Sequence, residues 1–277
     1  MRSSNPVMNS LTSGAQNQYG AGYGYGQTQS YSGEATHYGY SQQSSSDSRP
    51  MTVDDVVTKT GITLAVIIAF AIVNFGIALF VGQDLAVMLT FVGAIGGLIT
   101  VLVSTFGRKF GSAAVTLIYA AFEGLFVGGF SLLLSGWTVG NANAGSMIGQ
   151  AVIGTVGVFV GMLFVYKTGA VKVTPKFNKI MVGALFGVVA LMLGNFLLAM
   201  FTGNNPLRDG GMLAIVFSLV CIVLGALSFL TDFDAADKLM RQGAPAKYAW
   251  GVALGLAVTL VWLYTEILRL LSYFQQR

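Results

Sequence analysis

The chain has 277 residues, of which 54% are hydrophobic and only 9% charged, with a formal net charge of +4. A soluble domain carries about 25% charged residues, so this composition cannot coat a water-facing globule and points to a membrane protein. The net charge is small, and no Lys/Arg run or basic–aromatic interleave is present, which excludes nucleic acid as a partner.

Residues 1–50 are dominated by Gly, Ser, Gln and Tyr, with almost no aliphatics after Val7 and Leu11. Such a segment cannot bury enough surface to fold, and it is predicted to be a disordered cytoplasmic tail. It contains no apolar signal-peptide core, so the first membrane helix is expected to act as its own insertion signal. Order is predicted from MTVDDVVTKT at residue 51. There Thr52 and Asp55 have capping-box spacing, and Asp54 and Asp55 suit a helix N-terminus.

Seven apolar stretches follow, at 61–81, 85–106, 113–134, 147–166, 180–201, 211–231 and 248–271. About 20 apolar residues cross the hydrocarbon core as a helix, and the runs are continuous rather than alternating, which argues against strands. Residues 51–277 are thus read as an all-α integral membrane domain of seven transmembrane helices. The segment 232–247 is read as a charged loop. Lys and Arg set the orientation: Arg108, Lys109, Lys167, Lys172, Lys176, Lys179, Lys238, Arg241 and Lys247 lie in one set of connections, and Arg208 alone in the other. The positive-inside rule then puts the N-terminus in the cytoplasm. Seven crossings put the C-terminus outside, against which Arg269 and Arg277 pull, leaving open a short or re-entrant last span. Five spans carry glycines four apart (Gly93/Gly97, Gly124/Gly128, Gly157/Gly161, Gly183/Gly187 and Gly251/Gly255), predicting close packing in a compact bundle.

The polar residues within the spans carry the functional argument, because a charge in hydrocarbon costs roughly 3 kcal/mol or more. Glu123 sits mid-span in YAAFEGLFVGG, as either a protonated hydrogen-bonding carboxyl or a proton- or cation-responsive site. Glu266 has Arg269 three residues on, on the same helix face, so an internal ion pair and exchange of Arg269 between two carboxylates are both open. Asp232, Asp234 and Asp237 close the sixth span; they form either a solvated helix end or a convergent cluster that shares protons and suits Ca²⁺. Asn74, Gln150 and Asn195 read as interhelical hydrogen-bonding residues. The only Cys is Cys221 and the only His is His37, in the tail; no zinc spacing, nucleophile–base pair or phosphate loop is present, so enzymatic function and a bound cofactor are not expected.

Several ordered segments then carry a resemblance: MRSSNPV (1–7), MTVDDVVTKT (51–60), the YAAFEGLFVG segment around Glu123, YKTGAVKVTPKF (166–177), LTDFDAADKL (230–239), QGAPAKYAW (242–250) and WLYTEILRLL (262–271). The chain resembles the Bax-inhibitor/YccA-like family, the transmembrane Bax inhibitor motif group, in a bacterial branch. The resemblance implies a central last helix wrapped by the other six, and a proton-sensitive leak of cations, chiefly Ca²⁺. It also implies a titrating pair of acids between helices six and seven. By motif the first is Asp234, with Asp232 as the fallback, and the second is Glu266, where the family carries Asp. Asp234 and Glu266 are thereby also the candidate Ca²⁺ ligands. In a simple hairpin, however, Glu266 lies deeper than Asp234 and faces Cys221, which leaves Glu123 as the other candidate partner. The expectation is a pH-sensitive Ca²⁺ or cation leak in the cytoplasmic membrane. The alternative is a binding module that regulates a membrane protease or another membrane protein through its tail and loops.

Overall fold

The computed structural model describes residues 49–107, 109–135 and 142–275. The tail expectation for residues 1–48, and Arg108, lie outside the described residues. Seven long helices run through the rest: α1 Val53–Phe80, α2 Gln83–Phe106, α3 Ala113–Leu134, α4 Ala142–Thr168, α5 Pro175–Thr202, α6 Met212–Arg241 and α7 Ala249–Gln275. All seven are long and apolar enough to cross a membrane. Their starts are chemically marked. Thr52 Oγ1 accepts from Asp55 N–H at 3.3 Å while Asp55 Oδ2 accepts from Thr52 N–H at 2.9 Å, the reciprocal box predicted there. Thr174 caps α5 ahead of Pro175, whose missing N–H costs nothing at that position.

Three boundary expectations are corrected. Order extends back through Arg49 and Pro50: Met51 N–H donates to the Ala244 carbonyl and Ala246 N–H to the Arg49 carbonyl, both at 2.8 Å. The segment 232–247 is not a loop up to Arg241, because α6 continues through all three aspartates. Its i,i+4 pairs Asp234–Lys238 and Asp237–Arg241 support that extension. The last span is neither short nor re-entrant: α7 is an unbroken helix of 27 residues.

α7 is the centre of the bundle. Seventeen of its residues are buried, against two (Met181 and Val188) in α5. It packs principally on α1, α3, α4 and α6, while α2 packs on α1 and α3, and α5 packs on α6. The wrapping of α7 is therefore mainly by four helices rather than six. The glycine pairs divide in the same way. A Cβ on Gly93 would sit 2.5 Å from the Phe122 carbonyl oxygen, and one on Gly124 3.2 Å from the Ala71 nitrogen, so these are true backbone approaches. Gly157, Gly161, Gly183, Gly187 and Gly255 have open space beside them, and the tight-packing expectation fails there.

Asn74 behaves as predicted. It is fully buried on α1, and its Nδ2 donates to the Leu125 carbonyl of α3 at 2.6 Å and to Thr90 Oγ1 of α2 at 3.1 Å. Asn74→Leu should cost about 1 kcal/mol of stability, read as a lowered unfolding midpoint in detergent. Asn195 does not join two helices; it accepts from Leu207 N–H at 3.1 Å and holds the loop after α5. Gln150 is exposed.

Candidate functional site

The acids occupy three separate places. At the end of the bundle that holds Arg49 and the 242–248 turn, Asp232 turns toward α7, and Thr259 Oγ1 donates to its Oδ2 at 2.7 Å. The adjacent Phe233 is locked in the core against Phe159 and Phe229, which fixes the register of this wall. Asp234 and Asp237 turn elsewhere. Asp234 pairs with Lys238 at 2.5 Å, and Asp237 pairs with Arg241 at 2.8 Å and accepts weakly from the Tyr166 hydroxyl. The three aspartates therefore do not converge on one proton or ion.

Glu266 lies toward the opposite end and is 2% exposed. Its Oε1 accepts from Arg269 Nη1 at 2.6 Å, the i,i+3 pair expected from sequence. It also receives Arg208 from the loop after α5, at 3.4 and 3.5 Å. Arg208 lies over the Phe217 ring and Arg269 over the Phe130 ring, so aromatic faces of α6 and α3 hold the two guanidiniums. Ser218 and Cys221 of α6 stand beside the carboxylate, as the hairpin reading placed Cys221. The exchange anticipated from sequence runs the other way: two arginines share one carboxylate.

Glu123 stands mid-helix on α3, next to Tyr119 and against Gly97 of α2; a Cβ on Gly97 would come within 2.7 Å of Glu123 Oε2. It has no ion-pair partner among the described residues. Glu123 therefore belongs to the α2–α3 seam rather than to Glu266.

The structure does not bring Asp234 and Glu266 together, and the reason is helix geometry. α6 and α7 run antiparallel, with Asp232 opposite Thr259. Glu266 is seven residues further along α7, and Asp234 lies beyond Asp232 in the other direction, so they are roughly 13 Å apart along the axis at 1.5 Å per residue. They cannot share a proton or ligate one Ca²⁺ in this arrangement, and each already faces a cation. No three His, Cys, Asp or Glu side chains converge among the described residues. Within the seam the partner of the α6 acid is instead a hydroxyl, that of Thr259.

Two residues of this site were missed from sequence. Thr259 gives no signal among the many hydroxyl residues of apolar helices. Arg208 did give one, as the lone cation among the loops of its side, but nothing in the sequence ties that loop to α7. At the other end a clip joins the start of the described residues to the α6–α7 turn. Arg49 pairs with Asp55 at 2.5 Å, which raises the guanidinium pKa further above its ordinary value, and Lys59 Nζ donates to the Ala246 carbonyl at 2.6 Å.

A cavity of about 480 Å³ opens between α1, α3, α4 and α7, lined by residues such as Ile68, Ile72, Val152 and Leu260. It is apolar and contains none of the acids, so it does not connect the three carboxylate sites. No curated protein matched the sequence. Residues 5–276 match the family model described as Bax inhibitor 1 like. That match spans nearly the whole chain and takes in all seven helices: this is a multi-pass membrane protein of the Bax inhibitor 1 like family.

Proposed function

We propose that this protein is a slow, pH-sensitive cation leak, with Ca²⁺ as the chief ion and no enzymatic activity, in the cytoplasmic membrane of a bacterium with its N-terminus inside. The observation that carries the reading is Asp232. It is a carboxylate at the seam of α6 and the central helix, without an ion-pair partner among the described residues, held only by a hydroxyl. An acid left unneutralised inside a bundle marks an ion or proton pathway by default. While Asp232 is ionised, the Thr259 hydroxyl gives it a charge-assisted hydrogen bond, and the seam is shut. Protonation removes that charge and weakens the bond, since charge-assisted bonds are roughly twice as strong as neutral ones. α6 can then move against α7, and flux rises as the pH falls. Glu123, the second carboxylate without an ion-pair partner among the described residues, lies apart from this seam, between α2 and α3.

The test is Ca²⁺ flux into dye-loaded proteoliposomes across pH 5 to 8, for the wild type beside Asp232→Asn. The wild type should pass Ca²⁺ several-fold faster at the acid end, and the Asn variant should show a flat profile. A variant that keeps the wild-type pH dependence removes Asp232 from the gate, and no flux above empty liposomes at any pH ends the leak reading. A second reading, in which the chain regulates a membrane protease or another membrane protein through its tail, is favoured by the clip that fastens Arg49 to the α6–α7 turn. In that case deletion of residues 2–48 abolishes function and leaves flux intact.

A further inference from the structure

We propose that Arg208 and its loop form a detachable plug that closes the end of the α6–α7 seam opposite Asp232 to cations. The proposal rests on the leak reading for its purpose, but not for its geometry. Glu266 has a resident counter-ion in Arg269, from its own helix at 2.6 Å, whereas Arg208 reaches it from a loop at 3.4 Å. Arg208 can therefore leave without stranding the carboxylate, and its side chain is already 21% exposed. A long cationic side chain that leaves can carry its charge to the lipid–water boundary. While in place, it sets a second guanidinium on a single carboxylate. The Glu266 carboxylate is then covered by two guanidiniums, so an approaching cation meets Arg208 before it meets the carboxylate.

The loop is built to move as a unit with α5. Asn195 of α5 accepts from Leu207 N–H at 3.1 Å and also bonds the Asn205 side chain, and Arg208 N–H donates to the Asn205 carbonyl at 2.9 Å. α5 itself packs on α6 with only two buried residues. Beneath the plug, Leu207 packs in a cluster with Cys221, Phe217 and Trp262, and Cys221 is 1% exposed. The Ser218 hydroxyl and Glu266 Oε2 lie there too, buried side by side. Withdrawal of the plug lets water reach these polar atoms and the thiol together.

Cys221, the only cysteine in the chain, is thus a ready reporter. The experiment measures its rate of modification by a water-soluble cationic methanethiosulfonate in proteoliposomes, for the wild type, Arg208→Gln and Arg208→Lys. Arg208→Gln should label at least tenfold faster than the wild type, while Arg208→Lys, which keeps the charge, stays slow. Asn195→Ala frees the loop with Arg208 intact and should also label faster, so the test survives if Arg208→Gln fails to fold. Equal labelling rates in the wild type and in every folded variant overturn the plug. Flux measured on the same vesicles separates the two readings. Faster labelling without faster Ca²⁺ flux leaves the plug standing and counts against the leak.

Discussion

Glu266→Gln should destabilise the protein by about 3–5 kcal/mol, the usual cost of removing one partner from a buried ion pair. Among the described residues the carboxylate is the sole counter-charge for Arg269, itself 14% exposed, and it also receives Arg208. Its loss strands a guanidinium among α3, α6 and α7, and the Phe130 ring beneath Arg269 offsets only about 1–2 kcal/mol of that. The measurement is the unfolding midpoint in detergent, in a cycle with Arg269→Leu and the double variant. The double should lose much less than the sum of the two singles, because it removes both charges. Arg208→Gln should cost under about 1 kcal/mol, since the Glu266–Arg269 pair survives it. A Glu266→Gln protein as stable as the wild type would mean that this carboxylate is not holding the arginines.

The second large effect is expected at Gly128. A Cβ there would meet the backbone of Ala71 on α1, 3.0 Å from its carbonyl carbon and closer to its oxygen. Gly128→Val must push α1 from α3, and backbone cannot yield as a flexible side chain does. We expect a loss of roughly 3 kcal/mol, at the upper end of overpacking costs. Gly187→Val, on the open face of α5, has nothing within 4 Å and should lose under about 1 kcal/mol. Both sit in four-residue glycine pairs, so equal losses would show that the spacing rather than the contact matters. A smaller loss at Gly128 than at Gly187 would discredit the packing account.

The contrast between these glycines shows how far the sequence could be read. Seven runs of apolar residues, the Thr52–Asp55 start and the Glu266–Arg269 spacing all depend on neighbours within a few residues, and each is present in the structure. The extension of α6 through Asp232, Asp234 and Asp237 is hidden in the sequence because the apolar run stops at the first charge, although the helix continues past the hydrocarbon edge. The positive-inside rule applied to Arg269 and Arg277 leaves open a short or re-entrant last span, but Arg269 is paired with Glu266 on the same helix and α7 continues unbroken.

Pairing across helices was beyond the pattern. Two identical glycine spacings, Gly124/Gly128 and Gly183/Gly187, meet opposite surroundings because α3 lies inside the bundle and α5 at its rim. Motif similarity joined Asp234 to Glu266, but the antiparallel register of α6 and α7 sets Asp232 against Thr259 and turns Glu266 toward Arg208. The sequence by itself determined the solvent, the number of spans and which residues are too costly to be in lipid without a purpose, since these depend on composition and local spacing. Which polar groups face one another was decided only by the tertiary structure, because register and helix rotation are fixed by the packing of many distant side chains at once.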